Sequence, residues 1–124
     1  MKVTRFGDAR VCEPEQGWKR LSLCNEKDIS IEHFVKPAGH TSPRHVHPNA
    51  QVLVVLKGQL SIITDSGEQI LDEGDAAYIP GGEPHAVGNL LTEASVGLDI
   101  FVPGRSFDFW LRRKEGTPPT RPRA

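Results

Sequence analysis

Alternation of apolar and polar residues, not a helical repeat, runs through most of this chain. Trp18 to Leu23 alternates with one phase slip. Ile29 to Val35 alternates cleanly and predicts a strand with one buried face. Gln51 to Lys57 is apolar and β-branched on both faces, which predicts a strand in the middle of a sheet. Gln59–Thr64, the short Gln69–Leu71, Ala76–Ile79, His85–Leu90 and Ala94–Val102 continue the pattern. Between them lie turn signals: Asn25–Asp28, Pro37–Gly39, Gly58, Asp65–Glu68, Asp72–Asp75 and Pro80–Pro84. Residues 1–17 are polar and interrupted by Gly7, Pro14 and Gly17, and predict at most a short strand near Val3–Phe6. No window before residue 106 has a helical period, and Phe107 to Lys114 predicts a short turn of helix. Strands recurring roughly every 8–12 residues with glycine or proline between them predict an all-β sandwich or barrel.

The 124 residues suffice for one domain and not for two. The barrel is expected over 1–115, with a disordered tail at 116–124 that has no apolar anchor. A net charge of −1 and a pI near 6.5 provide no concentrated basic face, so no nucleic-acid partner is expected. The N-terminal residues lack the apolar run of a signal peptide. The longest apolar run, Val52 to Leu56, is far too short to span a membrane. Cys12 and Cys24 are not a CxxC pair. A disulfide between them is permitted but not required, and two thiols in a cytoplasmic protein is the simpler reading.

Candidate chemistry is concentrated in Gly39 to Gln51. His45 and His47 are two apart and share a face of an extended segment. Pro48-Asn49 reads as a turn, so Gln51 opens the next strand and faces the same space. Two imidazoles and an amide oxygen make an incomplete metal site, and His85 is the candidate that completes it. His33 and His40 read as an ordinary strand residue and a loop residue.

These residues fall on two motifs of the cupin family. Gly39, His45, His47, Gln51 and Gly58 match the spacing of the first motif, with glutamine where glutamate is usual. Gly74, Pro80, Gly82, His85 and Asn89 match the second at every position. The 15 residues between them, Gln59 to Glu73, equal the spacing in small bacterial cupins. The chain thus resembles a small single-domain cupin. The resemblance implies a double-stranded β-helix (the cupin jelly-roll barrel), one divalent transition metal inside it, and a homodimer. Neutral ligands from His45, His47, Gln51 and His85 suit Ni, Zn, Fe, Mn or Co. With no anionic ligand the centre keeps its full +2 charge, which favours Lewis-acid chemistry over oxidation to a trivalent state. Gly58, Gly74 and Gly82 have a structural explanation only, as turn positions.

A second constellation lies on the last strand. Asp99 and Phe101 share one face, Ile100 and Val102 the other. Pro103-Gly104 turns the chain so that Arg105 reaches the barrel mouth, and arginine grips carboxylates well. Asp99 is the candidate proton carrier, Phe101 a floor for a sugar ring and Arg105 the carboxylate clamp. The Asp-x-Phe-x-x-x-Arg pattern, with glutamine as third ligand, is similar to the cupins of pectin and alginate breakdown, which ketonise 4,5-unsaturated uronates. The alternative is structural: Asp99 caps a turn or pairs with an arginine such as Arg44, Phe101 is core and Arg105 is solvated. Three functions follow: a metal-assisted enzyme on a small sugar acid, an iron dioxygenase of cupin type, and a non-catalytic small-molecule binding module.

Overall fold

The computed structural model describes residues 1–114 and is an all-β, double-stranded β-helix. The expected tail, 116–124, lies outside the described residues. The strands are β1 (Arg10–Glu15), β2 (Trp18–Asn25), β3 (Ser30–Lys36), β4 (Ala50–Lys57), β5 (Gln59–Thr64), β6 (Gly67–Asp72), β7 (Ala76–Ile79), β8 (Ala86–Gly88) and β9 (Ser95–Val102). One helix, α1 (Asp108–Lys114), follows them, as the pattern after Phe107 predicts. One antiparallel sheet has the order β1-β2-β3-β9-β4-β7 and the other β6-β5-β8. No helix among the described residues is long and apolar enough to cross a membrane.

The N-terminal expectation needs correction. Val3 to Phe6 is not a strand; a 3-10 turn covers Phe6–Asp8, and the first strand is Arg10–Glu15. Only Cys12 of β1 is buried, because β1 is an edge strand laid along β2. One inward side chain produces no readable alternation, and Pro14 is tolerated because an edge strand leaves backbone donors unpaired.

β9 lies between β3 and β4 and fixes two rows of side chains. Glu32, Asp99 and Leu53 lie side by side in one row, and Ser30, Phe101 and Gln51 in the next. β3 alternates as predicted, but its buried face is the polar one: Ser30, Glu32, Phe34 and Lys36 point inward, while Ile31, His33 and Val35 are only partly covered. The main apolar core is Phe34, Leu53, Val55, Leu60, Ile62, Ile79 and Val87. A second cluster joins Cys12 and Trp18 to Phe107 and Trp110, and so seats α1 against β1 and β2. Here the Cys12 thiol donates to the Trp110 carbonyl (3.5 Å), while that of Cys24 donates to Ile29 (3.8 Å), so the two cysteines are not joined.

Gly97 matters for packing. A Cβ there would lie 2.5 Å from Phe34 Cζ and 3.0 Å from the Val54 carbonyl oxygen. The glycine gives the Phe34 ring its place against β9. Gly97→Val is therefore expected to destabilise the protein by about 2–3 kcal/mol, because neither the ring nor the β4 backbone can retreat without opening the core. Urea unfolding of the variant beside wild type measures this.

Candidate metal centre and cavity

Two loops bring the histidines together. His45 and His85 form a local antiparallel bridge, each backbone N–H donating to the other's carbonyl at 2.9 Å. Beside it, Gly82 N–H donates to the His47 carbonyl (2.9 Å). This pairing sets the rings of His45 and His85 4.3 Å apart, with His47 5.0 Å from His85. One ligand nitrogen from each of the three lies within 4.8 Å of the others. Nitrogens bonded to one ion at about 2.1 Å stand roughly 3–4 Å apart, so the cluster is of the right size.

The tautomers are fixed by backbone carbonyls. His45 Nδ1 faces Pro43 O (2.9 Å), His47 Nδ1 faces Asn49 O (2.9 Å) and His85 Nδ1 faces Glu83 O (2.8 Å). A carbonyl only accepts, so each Nδ1 carries the hydrogen and each Nε2 presents a lone pair. His85 Nε2 is buried and has no protein partner. His47 Nε2 is 3.0 Å from Gln51 Oε1. The Gln51 amide is held the right way round by its Nε2, which donates to Asp99 Oδ1 at 2.7 Å. Two lone pairs therefore face one another at His47 and Gln51, an arrangement that a cation between them would satisfy. A proton is disfavoured: burial, then the charge of Arg105, pushes His47 below the ordinary histidine range. Burial pushes His45 down to about 3. Three neutral imidazoles and a facing amide oxygen fit a divalent metal ion.

Behind this cluster lies a buried ion network. Arg20 donates to Glu32 Oε1 through Nε (2.9 Å) and Nη2 (2.7 Å), and to Asp99 Oδ2 through Nη2 (2.8 Å). Burial alone would weaken the Arg20 charge, but Glu32 and Asp99 outweigh it and the guanidinium is held above its usual range. Trp110 Nε1 adds a hydrogen bond to Glu32 (2.8 Å). Asp99 thus pairs with Arg20 and not with Arg44, whose partner is the exposed Asp65.

Arg105 is not solvated. Its backbone N–H is tied to Ser30 Oγ (2.8 Å), and its guanidinium stacks over Phe101 (4.2 Å) and Phe109 (4.8 Å). Its contacts to Glu32 are long, 3.4 and 3.5 Å, and its Nε is buried without a partner. Burial, only partly offset by Glu32, pushes it below the usual guanidinium range. It is still charged at any physiological pH. A cavity of about 50 Å³ is bounded by His45, Gln51, Asp99, Phe101, Arg105 and, unforeseen from the sequence, Lys36. The side chains expected at the site therefore converge: His45, Gln51, Asp99, Phe101 and Arg105 line the cavity, and His47 and His85 stand against His45. Arg20, Glu32, Lys36 and Trp110 are the participants that sequence reasoning missed.

The fold and this cluster define a class. The cupin domain family matches residues 32–101, more than half of the chain, and the chain belongs to that family. An uncharacterized protein of Methanocaldococcus jannaschii is 26% identical over 81 residues, 64% of this chain and 67% of that protein. An RmlC-like cupin from Shewanella frigidimarina superposes with a TM-score of 0.77 at 21% identity, over 88% of this chain and 96% of that one. KdgF from a Halomonas species does so with a TM-score of 0.77 at 21% identity, over 85% and 96%. At these identities the structural likeness is one of fold.

Proposed function

We propose that this cupin is a metal-dependent enzyme acting on a small sugar acid, by ketonisation of a 4,5-unsaturated uronate. The observation that carries the reading is Arg105, a largely enclosed cation with an unspent donor, in a cavity that His45 of the imidazole cluster also lines. His45, His47, His85 and Gln51 are the proposed ligands, with Asp99 holding the Gln51 amide in its ligating orientation. A divalent ion there supplies Lewis-acid polarisation of a substrate oxygen. Arg105 binds the substrate carboxylate, Phe101 supports the ring, and Asp99 takes part in proton transfer. The cavity favours an anion: Arg20, Arg105 and the bound cation together outweigh Glu32 and Asp99. Its 50 Å³ equals the room of one or two waters, so a six-carbon acid enters only as Phe109 and Trp110 of α1 give way.

The test starts with elemental analysis of the purified protein. Wild type is expected to carry about one transition metal per chain and His47→Ala essentially none. The metal-loaded protein is then mixed with the unsaturated uronate and its ultraviolet absorbance followed. Arg105→Met is expected to lower kcat/KM roughly 100-fold or more, because the carboxylate loses its guanidinium partner. Metal bound stoichiometrically with no loss of absorbance would refute the substrate assignment. Oxygen consumption dependent on added Fe(II) would direct the same site to dioxygenase chemistry instead.

A further inference from the structure

A proton exchanged in this cavity needs a way to solvent, and Asp99 offers none: its two oxygens face Gln51 and Arg20. Lys36 does. It ends β3 on the buried face, is 2% exposed, and lines the same cavity as His45, Gln51 and Asp99. The hydrogen-bond partner of its Nζ is not a carboxylate but His40 Nδ1, at 2.7 Å. On the other side of that ring, His40 Nε2 lies 3.1 Å from Glu15 Oε1. A carboxylate accepts only, so Nε2 carries the hydrogen and Nδ1 is the acceptor toward Lys36. The Glu15 side chain is 47% exposed. The three groups form a continuous hydrogen-bonded path from the cavity wall to water. Trp18 walls the path in: Lys36 Nζ lies 4.7 Å over its ring, and His40 is tilted against it at 4.9 Å.

We propose that Lys36 is a second acid–base group of the cavity, and that His40 and Glu15 pass its proton to and from solvent. The proposal rests on reading the cavity as a site of proton transfer. Converting an enol to a ketone breaks an O–H bond and forms a C–H bond. One proton leaves oxygen and one arrives at carbon, so no net proton is consumed and no oxidant or reductant is needed. The neutral Lys36 amine takes the proton from oxygen, and the ammonium so formed delivers one to carbon. In between, the ammonium exchanges with solvent: it donates to the Nδ1 lone pair of His40 while the ring's Nε2 hydrogen passes to Glu15 and water, and the reverse transfer restores it. The charged groups facing Lys36 are Arg20 from β2, Asp99 from β9, Glu15 from β1 and His40 from the loop after β3. Burial first, and then Arg20, pushes the amine down to about 7, so both protonation states are populated near neutrality.

The experiment has one arm that needs no substrate. Glyoxylate is smaller than the proposed substrate and enters by the same yielding of Phe109 and Trp110; with cyanoborohydride at pH 7 it forms an imine with a neutral amine, water leaves, and the reductant's hydride fixes a carboxymethyl group. Peptide mass mapping is expected to find Lys36 modified more than roughly tenfold faster than the exposed Lys2, Lys19, Lys27 and Lys57, since an ordinary lysine is almost wholly protonated at that pH. Equal or slower labelling of Lys36 overturns the proposal, whatever the uronate assay gives. In the second arm, Lys36→Arg is expected to lower kcat roughly 100-fold with little change in KM. His40→Asn and Glu15→Gln are expected to shift the pH profile of kcat. Profiles identical to wild type in both variants overturn the relay. Selective labelling of Lys36 without uronate turnover removes the substrate assignment and leaves the amine's availability as proposed.

Discussion

Replacing Arg20 with methionine is expected to destabilise the protein by on the order of 3–5 kcal/mol, the largest effect of any single substitution in the barrel wall. This guanidinium donates three buried hydrogen bonds of 2.7 to 2.9 Å. Glu32 and Asp99 are 1% and 5% exposed, so neither can recover its hydration once the cation is gone. Glu32 would keep the Trp110 indole and the long contacts to Arg105, and Asp99 would keep only the Gln51 amide. Two like charges would then face one another across adjacent positions of β3 and β9. Urea unfolding at neutral pH gives the size of the loss. A triple variant, Arg20→Met with Glu32→Gln and Asp99→Asn, separates charge from packing: it is expected to lose much less than Arg20→Met alone, because no uncompensated charge is left buried. An Arg20→Met variant within about 1 kcal/mol of wild type would mean that water reaches the network and that the cavity wall is not dry.

The same network shows where sequence reading stops. Period-2 alternation located β3 and β9 and paired Asp99 with Phe101 on one face, because strand geometry alone decides which residues share a side. It did not say which side is inside. In β3 the apolar Ile31 and Val35 fall, with His33, in the outer set, and the inner set is Ser30, Glu32, Phe34 and Lys36. Hydrophobicity predicts the reverse, and the reversal is stable only because Arg20 on the next strand neutralises Glu32 and Asp99. That complementarity lies between positions 12 and 79 residues apart, which no local window contains. A signal was present in a weaker form. Charged residues interrupt these strand patterns, Arg20 in β2, Glu32 and Lys36 in β3 and Asp99 in β9, and such charges in phase with a candidate site invite a search for partners. The metal-ligand cluster was legible for the opposite reason: His45, His47 and Gln51 are close in sequence, and His85 sits in a loop marked by Pro80, Gly82 and Pro84. Gly58, Gly74 and Gly82, read as turn positions, have φ of 83°, 88° and 84°. α1 was placed within Phe107 to Lys114, but its task was not: Phe109 and Trp110 line the cavity, and Trp110 bonds Glu32.

Lys36→Met is expected to make the protein more stable near pH 6, by about 1–3 kcal/mol, and the advantage is expected to fade as the pH approaches 10. The sign follows from the depressed value of the buried amine. Folding takes this group from an ordinary 10.5 down to about 7, chiefly by burial and secondarily by Arg20. Below pH 7 both the folded and the unfolded chain hold the proton, and folding carries the full cost of burying an ammonium ion. Between about 7 and 10.5 the unfolded chain binds more protons than the folded one, so wild-type stability rises with pH by up to roughly 1.4 kcal/mol per unit from this group. Above that window the amine is neutral in both states and the cost is gone. Methionine fills a similar volume without a charge, and loses only the contacts to His40 and the Trp18 ring, which is why the net gain is smaller than the cost it removes. The quantity to measure is the difference between variant and wild type in urea unfolding from pH 6 to 10. A difference that stays flat across that range would show that the Lys36 amine titrates as an exposed one does. A difference that shrinks on going up in pH would show that the fold keeps, at a cost in stability, a side chain that packing alone would replace, which is the behaviour of a group retained for chemistry.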